Sequence, residues 1–239
     1  MDKPAITQHI SRQFNAELED VRQRVLAMGG LVEQQIADAV TALIENKGDL
    51  GEAVAAGDKR VNSFEIAIDE ECSRILARRQ PTASDLRLVV AISKTITDLE
   101  RIGDEAERIG RMAMHLATED APKGAHAAVE HLGKHVLEMV TDALDGFARM
   151  DTEAALAVAK EDQKVDREYE SIIRQYITFM MEDPRTISRV LSLIWSVRAL
   201  ERIGDHARNI AEHVIFFVEG KDVRHISLED MEKKVRGKK

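Results

Sequence analysis

Cysteine and proline are scarce in this sequence of 239 residues, and their scarcity limits the fold. The single cysteine, Cys72, excludes an intrachain disulfide framework and a zinc site built from several cysteines. We expect it to be a small buried hydrophobe rather than a nucleophile. Four prolines, together with apolar residues at helical spacing, argue against a sandwich or barrel of short strands joined by Gly/Pro turns. The sequence therefore indicates an α-helical protein.

The sequence also lacks a net positive charge and long apolar runs. There are 34 Lys and Arg residues against 43 Asp and Glu residues, which gives a net charge of −9. Readers of duplex DNA normally carry a basic footprint, so we expect no nucleic-acid partner. No run of about 18 apolar residues is present, and the first residues lack the apolar stretch of a signal peptide, so neither a membrane span nor a signal peptide is expected. Hydrophobic residues make up 44% of the chain, which is ample for a core.

An internal repeat is the main feature of the sequence. The hexapeptide Leu99–Asp104 recurs unchanged as Leu200–Asp205, 101 residues later. On both sides of it, apolar or small residues recur every three or four positions, which is the period of a buried helix face. Two more blocks recur in the same order 104 residues later: 38–40 with 142–144, and 58–62 with 162–166. The chain is therefore a duplication.

Each copy is long enough for three helices of about 30 residues joined by short turns, and such helices pack antiparallel. The sequence thus predicts an all-α fold of two tandem, similar antiparallel three-helix bundles, with six long helices at 5–47, 49–79, 82–118, 124–150, 152–181 and 185–219. We expect the first bundle to span residues 1–120 and the second 121–220. The charged tail, 221–239, is expected to fray. A capping box is expected at Thr82–Asp85, and Trp195 is expected in the core or at an interface.

Acidic residues flank the repeated apolar stripes. With about 100° between successive residues of a helix, the first and last acids of the hexapeptide share one side of the helix beside the core. The second helix of each half carries a similar pair. If these flanks face each other, each half gathers about four oxygen-bearing side chains. The candidate residues are Asp58 (paired with Asn62), Glu100 and Asp104 in the first half, and Asp162, Asp166, Glu201 and Asp205 in the second.

Converging carboxylates repel one another and attract hard cations, which prefer oxygen ligands. The second half is the better candidate, because Asp166 stands where the first half has Asn62. An ordinary solvated acidic face, interlaced with arginines, explains the same pattern, so both interpretations stay open. No Glu has a His three residues on, as a ferritin-type di-iron centre requires. Phosphate-binding loops and hydrolase motifs are also absent from the sequence, and no enzymatic activity is expected.

The sequence resembles the PhoU family of bacterial proteins for phosphate signalling and phosphate transport over nearly its whole length. The paired helix-three motifs are the most specific part of the resemblance. The matching stretches are Met28-Gly29, Pro81 with Asp85-Leu86-Arg87, Asp98–Asp104, Leu200–Glu212 and Gly220–His225.

The resemblance implies a cytoplasmic, non-enzymatic negative regulator of the phosphate-starvation response. It implies an adaptor that acts with the phosphate ABC transporter and a PhoR-type sensor histidine kinase, forms homodimers, and meets the membrane only peripherally through its partners. Some members bind metal through acid pairs four residues apart, which here are Glu100/Asp104, Asp162/Asp166 and Glu201/Asp205; Asp58/Asn62 departs from that pattern. The implied metal is a multinuclear cluster or a divalent ion, with iron, manganese, magnesium and zinc as candidates. The alternative is a metal-binding helical bundle without a signalling role.

Overall fold

All regular structure in the described residues, 12–117 and 124–237 of a computed structural model, is helical. The predicted all-α fold with six long helices is confirmed. The predicted start of the first helix and end of the third lie outside the described residues; the other predicted ends fall within about three residues of the observed ones. The helices are α1 (Arg12–Ile44), α2 (Gly48–Arg79), α3 (Ala83–Leu116), α4 (Ala125–Arg149), α5 (Thr152–Glu182), α6 (Ile187–Glu219) and α7 (Leu228–Arg236).

The six long helices pack in two layers. In one layer α2, α3, α6 and α5 contact each other in that order, and in the other α1 and α4 contact each other. Helix α1 packs on α2 and α3, and α4 packs on α5 and α6, which makes two three-helix bundles. The bundles meet through α3 with α6 and α1 with α4, and their buried side chains form one continuous core. No helix within the described ranges is both long and apolar enough to cross a bilayer.

The local sequence explains the turns at both ends of α5. The side chain of Asp151 accepts hydrogen bonds from the backbone N–H groups of Glu153 and Ala154, which caps the start of α5. At the other end of α5, Asp183 leaves the helical conformation, and Pro184 begins a single 3₁₀ turn before α6. Because only residues 183–186 connect the two helices, α5 and α6 pack as an antiparallel pair.

Glycines allow the close approaches that hold the bundles together. A Cβ atom added to Gly51 would lie 2.5 Å from the carbonyl oxygen of Gly110, so α2 and α3 touch through their backbones. A Cβ atom added to Gly29 would lie 2.7 Å from Leu144 Cδ1, which belongs to the other bundle. The contact at Gly51 fits only a residue without a side chain, whereas a larger residue at position 29 would require the side chain of Leu144 to move.

Two local expectations are wrong. The side chain of Thr82 makes no capping hydrogen bond, and Asp85 lies on the buried side of α3. The tail does not fray over residues 228–236: the Ser227 side chain caps α7, and Met231 is fully buried. Of the two locations expected for Trp195, the core is excluded, because 56% of its surface is exposed. Cys72 is buried, as expected.

Candidate metal centre

The two acidic pairs of the second half face each other because α5 and α6 approach closely. Gly204, inside the repeated motif, lies against Val165 of α5: a Cβ atom added to the glycine would lie 3.3 Å from Val165 Cγ1. Val165 is buried, and in the sequence it stands between Asp162 and Asp166. The close packing of this valine on the glycine brings the flanking carboxylates of the two helices together.

Three carboxylates converge in this region. Asp162, Asp166 and Asp205 each offer an oxygen atom, and these atoms lie within 4.8 Å of one another. Asp162 is buried, whereas Asp166 and Asp205 reach the surface. We call these three residues the acidic triad. An all-oxygen set of charged ligands suits hard cations such as Mg²⁺ or Mn²⁺ better than zinc or copper.

Glu201 lies beside the acidic triad with half of its carboxylate unsatisfied. Its Oε1 accepts a hydrogen bond from Arg198 at 3.1 Å, whereas its Oε2 is buried and has no hydrogen-bond partner. Burial and then the charge of Asp205 raise the pKa of Glu201 to about 6. A buried oxygen without a hydrogen-bond partner is energetically unfavourable, and binding a cation or a proton would satisfy this atom.

Burial and then mutual repulsion raise the pKa values of two carboxylates of the acidic triad. The pKa of Asp205 is raised by its withdrawal from water and then by the charges of Asp162 and Asp166. The pKa of Asp166 is raised in the same way, by burial and then by Asp162. Arg208 offsets part of this charge, since it donates to Asp162 at 2.8 Å and to Glu212 at 3.1 Å. The residues present therefore fit a divalent cation, which Asp162, Asp166 and Asp205 would hold with Glu201 beside them.

The first half is arranged differently. Asn62 donates to Asp58 Oδ2 at 2.8 Å, while Asp58 Oδ1 has no partner. Glu100 and Asp104 both lie 3.4 Å from the guanidinium group of Arg101. Within residues 12–117 and 124–237, the acidic triad of the second half is the only group of three carboxylates, histidines or cysteines close enough to share an ion. The structure therefore brings together three of the seven candidate residues and leaves Asp58, Glu100 and Asp104 farther apart.

Two polar contacts between the bundles were not predicted from the sequence. Asp98 of α3 lies 2.8 Å from His206 Nδ1 and 2.9 Å from His213 Nε2, both of α6. Glu105 Oε1 of α3 lies 2.6 Å from Arg202 Nη1 of α6 and forms an ion pair with it. The only sequence signal is a break in the repeat: 101 residues after Asp98 stands an alanine, and 101 residues after Glu105 stands His206.

The chain matches known sequences along its whole length. The profile of the PhoU domain matches residues 25–113 and again 129–214. A Pseudomonas putida protein called "phosphate-specific transport system accessory protein PhoU homolog" is 58% identical over 99% of this chain and 93% of its own length. The "phosphate-specific transport system accessory protein PhoU" of Escherichia coli (strain K12) is 50% identical over 100% of this chain and 98% of its own length.

Solved structures match as well. The crystal structure of PhoU from Pseudomonas aeruginosa superposes with a TM-score of 0.85 at 58% identity, covering 87% of this chain and all of that one. The phosphate transport system regulatory protein PhoU from Streptococcus pneumoniae superposes with a TM-score of 0.81 at 30% identity, covering 88% of this chain and 99% of that one. The duplicated sequence, the paired bundles and these matches together show that the chain belongs to the PhoU family.

Proposed function

We propose that this chain is an accessory protein of phosphate-specific transport that represses the phosphate-starvation response when phosphate is plentiful. In this proposal it works in the cytoplasm as a non-enzymatic adaptor between the phosphate ABC transporter and a PhoR-type sensor histidine kinase. The observation that carries the proposal is the match along the full chain to relatives whose names place them in phosphate-specific transport. The relative from Streptococcus pneumoniae is named a regulatory protein of that system.

The physical character of the chain supports an adaptor. Its long helices leave extended faces, and exposed helix faces are a common way for one protein to hold another. In this proposal the acidic triad binds a divalent ion that neutralises the repulsion between Asp162, Asp166 and Asp205 and fixes α5 against α6. The ion then sets the shape and charge of a docking face and takes part in no reaction.

A second candidate function is a metal-binding bundle without a signalling role. The convergence of Asp162, Asp166 and Asp205 within 4.8 Å favours it, because metal binding alone would explain that arrangement. The two functions differ in what the cell loses when the gene is deleted: the adaptor predicts loss of repression, and the metal-binding bundle does not.

Alkaline phosphatase expressed from a phosphate-starvation promoter tests the proposal in phosphate-replete cells. We expect high activity after deletion of the gene and low activity when the native sequence is restored. An Asp166→Asn/Asp205→Asn double variant is expected to restore repression poorly, whereas Glu130→Gln, which changes an exposed carboxylate of α4, is expected to restore it fully. Low activity in the deletion strain would overturn the regulatory proposal and leave the metal-binding bundle as the better account.

A further inference from the structure

Exposed apolar side chains gather where α5 and α6 meet at their hairpin. Five of the nine large apolar side chains that are exposed in the described part of the chain lie on these two helices: Ile177 and Met181 of α5, and Ile187, Leu191 and Trp195 of α6. Met181 is 78% exposed, and Trp195, the only tryptophan of the chain, is 56% exposed. A concentrated apolar patch on a protein surface commonly marks a binding site.

The apolar residues lie on one side of each helix. Ile187, Leu191 and Trp195 are spaced four apart on α6, and Ile177 and Met181 are four apart on α5, so each set forms a row. Met181 and Ile187 lie three residues on either side of Pro184, and Ile177 and Leu191 lie seven residues on either side of it. Because the two helices run antiparallel from this turn, Met181 and Ile187 lie at the same height along the hairpin, and so do Ile177 and Leu191.

The same side of the two helices continues into the acidic triad. On α6 the row proceeds at helical spacing from Trp195 through Arg198 to Glu201 and Asp205, and on α5 it proceeds from Ile177 through Arg174 and Glu170 to Asp166. Arg198 connects the helices at the midpoint: its guanidinium lies 5.7 Å from the ring centre of Tyr169 on α5, and it also donates to Glu201. We call this surface the α5–α6 face. It changes from apolar to acidic over about 27 Å, the length of 18 helical residues.

The first bundle does not repeat this surface. The residue 101 positions before Trp195 is Lys94, and its ammonium group lies 5.2 Å from the ring centre of Phe216 near the end of α6. In the first bundle a lysine therefore stands in place of the tryptophan, and this lysine contacts Phe216 of the same chain. The apolar half of the α5–α6 face thus has only a partial counterpart in the first bundle: Leu86, at the position of Ile187, is exposed, whereas Lys94 replaces Trp195. The full row does not follow from the architecture that the two bundles share.

We propose that the α5–α6 face docks a helix of a partner protein. The contacting side of that helix would carry apolar residues along one half of its length and Lys or Arg along the other half. The apolar half would cover Leu191 and Trp195, and the basic half would lie along Glu170 and the acidic triad. Tryptophan is enriched among the residues that dominate protein interfaces. The inference rests on the proposed adaptor function, for which it names the contact surface, and it holds with or without a metal ion, since Glu170 lies outside the acidic triad and is exposed.

Two other occupants fit less well. A second copy of the chain, paired along the full face in antiparallel fashion, would bring its acidic half onto the apolar half. Paired over the apolar half alone, it would bury only five side chains, fewer than the 20 to 30 residues a side of a typical stable interface. An anionic membrane surface would be repelled by the exposed carboxylates of Glu170, Asp166 and Asp205, which form the acidic half of the same face.

Photocrosslinking in cells tests the proposal. p-Benzoylphenylalanine is placed at position 191 and, as a matched control, at position 66, where Ile66 is an exposed apolar residue of α2. The expected result is a cross-link at 191 but not at 66, mapped by mass spectrometry to a partner segment whose sequence forms a helix with an apolar half and a basic half. Cross-links of equal yield at both positions, or a cross-link at 191 to this chain itself or to lipid, would overturn the proposal.

Trp195 then serves as a built-in fluorescence probe. A synthetic peptide of the cross-linked segment should shift the tryptophan emission to shorter wavelength, and its affinity should fall with added salt. Leu191→Asp should weaken binding by at least about tenfold, and Ile66→Asp should leave it unchanged. Unchanged affinity in Leu191→Asp, with native circular dichroism, would reject this docking site. If instead the docking is lost but alkaline phosphatase stays repressed, the docking site stands and the proposed signalling function fails.

Discussion

His206 Nδ1 lies 2.8 Å from Asp98 Oδ1, so a side chain of the second bundle holds a buried carboxylate of the first. Asn209 donates to the same oxygen at 3.1 Å, and His213 Nε2 lies 2.9 Å from the other oxygen. Burial alone would raise the pKa of Asp98, but these hydrogen bonds outweigh it and hold the pKa at about 2. The ionised carboxylate therefore stabilises the contact between α3 and α6.

Replacing this carboxylate should weaken the fold. We expect Asp98→Asn to lower the free energy of unfolding at pH 7 by about 2 kcal/mol, the equivalent of its pKa shift, as measured by urea denaturation. A lowered carboxyl pKa stabilises the folded state above the unfolded value, near 3.8, and this contribution is lost as the pH falls towards 2. The difference between the two proteins should therefore shrink on acidification. Glu130→Gln, on the surface, should change stability by less than about 0.5 kcal/mol. Equal stability of Asp98→Asn and the native protein would contradict this account.

Removing a ligand of the acidic triad should weaken metal binding. Mn²⁺ titrated into metal-free protein, followed by calorimetry and by electron paramagnetic resonance, is expected to bind through Asp162, Asp166 and Asp205. Asp205→Asn should lower the affinity by at least about tenfold, because the neutral amide is a weaker ligand for a hard cation. Asp104→Asn, at the equivalent position of the first bundle, is the matched control and should have little effect. The opposite order of the two variants would place the ion in the first bundle.

The sequence alone could predict the helices and the side of each helix on which the acidic pairs lie, because both follow from helical spacing and from the repeat. It could not predict which carboxylates share a space. That depends on how closely Gly204 packs on Val165, and on Arg208 turning to Asp162 while Arg198 turns to Glu201. Such choices are decided by side-chain rotamers and by shifts of about an ångström between helices, which the spacing of residues along one helix does not contain.

Contacts between the bundles were hidden for a different reason. Helical periodicity identifies the buried side of a helix, but it does not name the helix that covers it. Asp98 lies beside the apolar stripe of α3 and was not singled out, although it pairs with α6. The tail was misjudged because its charge suggested solvent, whereas a capping serine, Ser227, and one apolar side chain, Met231, are enough to dock a short helix.

Neutralising Glu201 should stabilise the metal-free protein. Its pKa of about 6 is above the unfolded value of 4.5, so folding stability is lost as the pH rises from 4.5 through 6. Glu201→Gln should therefore raise the free energy of unfolding at pH 7.5 by about 1 kcal/mol, and the gain should vanish below about pH 4.5. Thermal unfolding in the presence of EDTA, at pH 7.5 and at pH 4.5, measures both. Lower stability of the variant at pH 7.5 would show that the hydrogen bond from Arg198 outweighs the repulsion.

Substituting single glycines by alanine distinguishes a glycine that a close helix contact requires from one that no contact requires. A Cβ atom at Gly110 would lie 2.8 Å from the carbonyl oxygen of Gly51, and neither backbone can retreat without moving a helix. Gly110→Ala should therefore cost about 2 kcal/mol or more in urea denaturation. Gly30 has no atom within 4 Å of an added Cβ, so Gly30→Ala should instead stabilise α1 by about 0.5 to 1 kcal/mol, because alanine is the better helix former. If Gly110→Ala were neutral or stabilising, the contact between α2 and α3 would be looser than the structure shows, and the paired glycines would have no role in holding these helices together.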